Sequence, residues 1–105
     1  MDMDITSAFK AIADRRADHT ALIYLGSRFT YGQLDSLVDR FAAALTGLGL
    51  AAGERVILYI PNSVQWVVAW LGVLRCGAAA VPITPIYTPH DLAYIAEDSA
   101  AETII

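Results

Sequence analysis

The sequence predicts an α/β protein: a β-hairpin followed by a βαβαβ run, its parallel sheet flanked by helices. Three observations carry this. Two apolar runs of strand length, Arg55–Ile60 and Ala78–Ile83, are unbroken rather than alternating, as strands buried on both faces require. Each is followed by a segment with helical apolar spacing, which makes successive crossovers, expected to be right-handed. Ahead of them, two runs of strand formers flank a glycine-containing turn.

The elements follow in order. From Asp4 to about Arg16, the residues Ile5, Phe9, Ile12 and Ala13 fall on one helical face, opposite Lys10, Asp14 and Arg15. Ala21–Leu25 and Arg28–Tyr31 are expected as hairpin strands, joined by Gly26-Ser27 with the glycine at positive φ. Thr30-Tyr31-Gly32-Gln33 has capping-box spacing and predicts a helix start. The stripe of that helix is Leu34, Leu37, Val38, Phe41, Leu45 and Leu48, and Gly49 supplies the left-handed stop. Pro61 ends the first buried strand. Asn62 is expected to cap a helix over Ser63–Arg75 that is apolar on most of its circumference and ends at Cys76-Gly77. After the second strand, Thr88-Pro89-His90-Asp91 reads as a cap, a first-turn proline and a first-turn acid, opening a helix to about Asp98. Glu102–Ile105 begins a further strand. A chain closing on such a start leaves backbone unpaired, which predicts more polypeptide beyond Ile105.

Length and composition narrow the class. A chain of 105 residues makes one domain or a piece of one, without an internal repeat or linker. It is 56% hydrophobic and only 17% charged, so a small domain of this kind is expected to expose an apolar surface that a partner, or a second copy, would cover. The net charge of −4 and the lack of a Lys/Arg cluster argue against nucleic acid. One cysteine, Cys76, excludes an internal disulfide and a cysteine zinc site, and the acidic start Met1-Asp2-Met3-Asp4 does not read as a secretory signal; a cytoplasmic location is expected. The charge-free stretch Val56–Leu74 is broken at Pro61-Asn62-Ser63, and what remains is shorter than the ~20 residues a membrane span needs.

Candidates for chemistry are few. Gly47–Gly53 leaves a helix and enters a strand, the reverse of a phosphate loop, and reads as a helix stop and turn. Cys76 at a helix carboxyl end sits where the dipole disfavours a thiolate and reads as a buried structural thiol. His19 and His90 lack companions at metal-ligand spacing. Asp35 and Asp39, one turn apart, are read as a solvated face rather than a metal pair. Glu97-Asp98 closes a helix and carries no functional reading. Trp66, Trp70 and Tyr59 are read first as core, with a pocket wall as the other choice. The best site candidate is the connection Thr84–Thr88, because open α/β sheets place their crevices beyond the carboxyl ends of parallel strands. No catalytic residue and no metal ligand is assigned.

A set of ordered blocks goes further: Phe29-Thr30-Tyr31, Leu34-Asp35, Gly53-Glu54-Arg55-Val56, Tyr59-Ile60-Pro61-Asn62-Ser63, Leu71-Gly72, Gly77-Ala78, Val81-Pro82, Pro85 and Tyr87-Thr88-Pro89. Together, from about Asp18 to Ile105, they resemble the start of the adenylate-forming superfamily, nearest to acyl-CoA synthetases of fatty and aryl acids; residues 1–17 stand ahead as a leading helix. The resemblance implies an amino-terminal portion of the family's large domain. It also implies a parent enzyme that uses ATP and magnesium to make an acyl-adenylate and then passes the acyl group to coenzyme A. The family's phosphate loop, adenine-contacting segments and catalytic lysine have no counterpart here; Lys10, the only lysine, is not that residue. Cofactor sites are therefore expected in the remainder of the parent enzyme, which is the expected partner. Thr84 stands where relatives often carry Asn, and Thr84 and Tyr87 are the positions expected to border the acyl or coenzyme A route. Two other readings are weighed: a stand-alone α/β interaction module without activity, and a flavodoxin-like or dinucleotide-binding protein. The second is disfavoured because no strand feeds a glycine loop into a helix.

Overall fold

The computed structural model describes residues 4–61, 63–83 and 89–105. Helix α1 (Ile5–Arg15) precedes a hairpin of β1 (Thr20–Tyr24) and β2 (Ser27–Thr30); α2 (Tyr31–Gly47), β3 (Arg55–Leu58), α3 (Val64–Arg75), β4 (Ala79–Pro82), α4 (Pro89–Ser99) and β5 (Thr103–Ile104) follow. The hairpin is a separate antiparallel pair, and the parallel sheet has the order β4-β3-β5. The expected architecture, a hairpin followed by a three-stranded parallel core, is therefore present.

The hairpin turn differs from expectation by one residue. Tyr24 pairs with Ser27, so Leu25 and Gly26 are the two turn residues, at φ 50° and 83°. Positive φ at both positions lets the turn follow the right-handed twist of the strands, and it places a β-carbon residue in a region usually left to Gly or Asn. Leu25 stands 86% exposed at the tip, so no burial compensates. At the other end of the hairpin the register shifts between Thr20 and Leu22.

Helix α2 starts at the expected capping box: Thr30 Oγ1 accepts from the Gln33 amide at 3.1 Å, and Gln33 Oε1 accepts from the Thr30 amide at 2.9 Å. At its end, the Gly49 amide bonds to the Thr46 carbonyl and the Leu50 amide to the Leu45 carbonyl, with Gly49 at φ 101°. This closure corrects the expected stripe. Leu48 is the cap, is turned outward and is 85% exposed, whereas Leu50, two residues on, folds back beside Leu45. Helix α3 ends the same way, with Gly77 at φ 79° and the Ala78 amide on the Val73 carbonyl. At its start, the cap is Ser63, whose Oγ accepts from the Trp66 amide at 3.1 Å, so the helix begins one residue later than expected. Asn62 and Thr88, the other expected caps, lie outside the described residues.

The core forms where α2 and α3 cross beside β3. Leu45, Val56, Leu58, Ala69, Val73 and Ala78 make one cluster, with Phe41, Leu50 and Trp70 packed on it. Leu34, Val38 and Leu71 make a second, which extends to Phe9 of α1. Alternation along β3 turns Ile57 to the opposite face, and it too is fully buried, so the strand is covered on both sides. The helices approach closely because Gly72 faces the Phe41 ring. A β-carbon there would come within 2.7 Å of Phe41 Cδ2, well inside van der Waals contact.

Candidate functional site

The strand order creates a reversal point. The chain leaves β3 for β4 on one side and next returns to β5 on the other, so the carboxyl ends of β3 and β4 are where a sheet of this type opens a crevice. Tyr59, Ile60 and Pro61 extend from β3, and Ile83 extends from β4 with its amide on the Leu58 carbonyl at 3.1 Å. The Tyr59 amide donates to the Ile105 carbonyl at 2.7 Å, which carries the β3–β5 ladder past the assigned strands. Thr84 and Tyr87, the expected site positions, and the rest of their connection lie outside the described residues.

The Ser63 hydroxyl at this end serves the backbone. Ser63 Oγ accepts from the Trp66 amide and donates to the Pro61 carbonyl at 3.0 Å, which engages the hydroxyl as both donor and acceptor. Trp66 and Trp70 stack on each other at 5.7 Å, and Trp70 packs on both core clusters, so the core reading holds for it. Both tryptophans are half-buried. Exposed large side chains are instead Ile23, Tyr24 and Leu25 on the hairpin, Leu48 after α2, Tyr94 on α4 and Ile104 on β5.

The remaining candidates have local structural roles. Cys76 is half-buried, its Sγ donating to the Ala42 carbonyl at 3.4 Å and lying 3.6 Å from Thr46 Oγ1. In the glycine-rich turn, the Gly53 amide bonds to the Gly77 carbonyl and the Ala51 amide to Glu54 Oε1, so these donors are occupied within the chain. His19 and His90 are exposed. Among the described residues no group of three His, Cys, Asp or Glu side chains could hold a metal, and no helix is long and apolar enough to cross a membrane.

One polar cluster was not foreseen. Asp35 and Asp39 do share a cation, but it is the guanidinium of Arg75: Nη2 lies 2.9 Å from Asp35 Oδ1 and Nη1 donates to Asp39 Oδ1 at 2.6 Å. Lys10 of α1 donates to Asp35 Oδ2 at 2.8 Å and lies 3.5 Å from Asp14. The Asp35 side chain is only 14% exposed, so it stands at the junction of three helices rather than on a solvated face. Partial burial alone raises its pKa. The hydrogen bonds and charges of Lys10 and Arg75 outweigh that and hold the carboxyl below its ordinary value. Lys10 is correspondingly raised, chiefly by its hydrogen bond to Asp35. Arg75 also lies over the Phe9 ring at 5.8 Å, and Phe9 meets Tyr31, so α1 is fastened by charge and aromatic contact together. Sequence spacing links Asp35 to Asp39 but holds no sign of Arg75, which reaches them only through the α2–α3 crossing.

The cluster fastens helices, and the strand ends form a wall; neither brings a nucleophile beside a base among the described residues. Comparison with known proteins places the chain within a larger enzyme family. The family model of AMP-binding enzymes matches residues 9–105. The long-chain-fatty-acid–CoA ligase of Salmonella typhimurium is 40% identical over 102 residues, which is 96% of this chain and 18% of that protein. Surfactin synthase subunit 1 of Bacillus subtilis is 36% identical over 99% of this chain and 3% of its own length. Among solved structures, the N-terminal domain of FACL13 from Mycobacterium tuberculosis superposes with a TM-score of 0.91 at 31% identity, over 98% of this chain and 26% of that one. The chain thus spans under a fifth of the curated ligase and about a quarter of the solved domain, and with a family match across almost all of its residues it belongs to the AMP-binding enzymes.

Proposed function

We propose that this chain is the supporting amino-terminal wall of an ATP-dependent carboxylic acid:CoA ligase that acts on fatty acids in the cytoplasm and that it has no activity alone. The observation that supports this most is the 40% identity to a long-chain-fatty-acid–CoA ligase across 96% of the chain. In the whole enzyme, ATP with magnesium would activate the carboxylate and coenzyme A would accept the acyl group. The residues of this chain bind neither in this reading. They hold the carboxyl ends of β3 and β4 in place, so that Thr84 and Tyr87 border the route of the acid or of coenzyme A.

The longer protein that carries these residues tests the reading. Supplied with ATP, magnesium, coenzyme A and a panel of fatty, aryl and amino acids, it is expected to form AMP and an acyl-CoA with fatty acids. Exchange of pyrophosphate driven by an amino acid, with no acyl-CoA formed, would place it beside the peptide synthases instead. Thr84→Ala and Tyr87→Ala are expected to raise the KM for the acid or for coenzyme A several-fold while leaving the fold intact. Unchanged KM values for both would remove these residues from the route.

A further inference from the structure

A groove of about 550 Å³ runs between the hairpin, α2 and α3, walled by Tyr24, Leu25, Phe29, Leu37, Phe41 and Val68. It begins at the first turn of α3, where Val64 and Gln65 complete the lining, just after the end of β3. Phe29 and Leu37 are shared with a second depression, whose other walls include Arg28, Ser36 and Arg40. An apolar trough and a cationic hollow therefore lie side by side, divided by two side chains. Neither arginine forms an ion pair with an acid among the described residues, although the chain carries an excess of four negative charges. The apolar side chains at this place are costly to leave in water, at roughly 25 cal/mol for each Å².

We infer that this double depression is the seam against which the rest of the enzyme packs, and that the packing segment carries apolar side chains flanked by a carboxylate, the former in the trough and the latter on Arg28 and Arg40. The inference rests on the reading of the chain as part of a larger ligase. The charge of the site selects the flank of the segment. Length supports the choice of occupant, because this chain covers only 18% of the ligase it matches and 26% of the solved domain it superposes on. A second copy fits less well: its exposed apolar tip, Ile23 to Leu25, would bring its own Arg28 toward the two arginines already there. Like charges brought together in that way oppose docking.

Maleimide labelling tests this without reference to catalysis. In a Cys76→Ala background, Ser27→Cys places a thiol on the groove wall, and its labelling rate is compared between the 105-residue chain and the longer protein. The rate is expected to fall at least tenfold in the longer protein. Adding Arg28→Glu and Arg40→Glu is expected to restore much of the reactivity there and to leave that of the short chain unchanged. Equal rates in the two proteins, or protection indifferent to the charge reversal, would overturn the inference. Protection of the short chain by dodecanoate below its micelle concentration would overturn it as well, in favour of a small anionic amphiphile. An active ligase with an unprotected Ser27→Cys would leave the functional reading standing and dismiss the seam, so the two failures are distinguishable.

Discussion

The crossing of α2 and α3 over β3 and the β1–β2 hairpin tip are built from similar residues and end in opposite states. At the crossing, Val38, Val56, Leu58 and Val73 are completely buried and Gly72 is bare so that Phe41 can lie against it. At the tip, Ile23, Tyr24 and Leu25 are exposed, and Leu25 holds a positive φ with no packing in return. The difference shows that hydrophobicity alone does not mark the core here. What marks it is convergence of several elements on one place; β1 packs against the core through Ala21, whereas the tip residues reach beyond that convergence.

Substitutions at the two places are expected to separate them. Leu58→Ala should have the largest effect, a loss of about 2–5 kcal/mol, because a fully buried side chain leaves a cavity that the crossing closes only in part. Urea unfolding followed by circular dichroism gives the number, and a loss below that range would mean that the crossing is looser than its burial indicates. Gly72→Ala should follow at roughly 1–3 kcal/mol, since its methyl group must displace the Phe41 ring.

Asp35→Asn should cost about 1.5–3 kcal/mol at neutral pH, the usual range for a hydrogen bond to a charged group. Because the folded state depresses the Asp35 pKa, its contribution is complete above the unfolded value of about 3.9 and is lost as pH falls through the lower, folded value. The variant should therefore lose less stability than the parent chain on acidification below about pH 4. Parallel pH profiles would contradict the three-helix junction. At the hairpin the sign reverses. Leu25→Asn should stabilise by about 0.5–1 kcal/mol, because Asn tolerates positive φ and no burial is given up. It should also reduce the self-association expected of the isolated chain, seen as a smaller apparent mass by light scattering.

The features legible in the sequence were those whose cause is local or periodic. Thr30 and Gln33 announce the start of α2 from three residues apart, Gly49 and Gly77 announce the helix ends, and the unbroken run at Val56–Leu58 announces a strand covered on both faces. The hairpin turn was misplaced by one residue because Gly26 supplies a positive φ in either register, and nothing local reveals that Leu25 shares it. Leu48 continues the helical stripe on paper, yet the reversal at Gly49 turns it away and brings Leu50 back. The Asp35–Arg75 pair joins residues of different helices and depends on the crossing itself, so no spacing discloses it. The strands themselves were legible, because sequence order constrains strand order, while Thr84 and Tyr87, the expected site positions, lie outside the described residues.

The central claim is that these residues support chemistry performed by other polypeptide. It is tested most directly by carboxylate-dependent ATP–pyrophosphate exchange on the purified 105-residue chain, with ATP, magnesium and long-chain, medium-chain and aromatic acids in turn. No exchange above the protein-free rate is expected with any acid. Exchange that depends on a carboxylate and scales with the amount of this chain would contradict the claim.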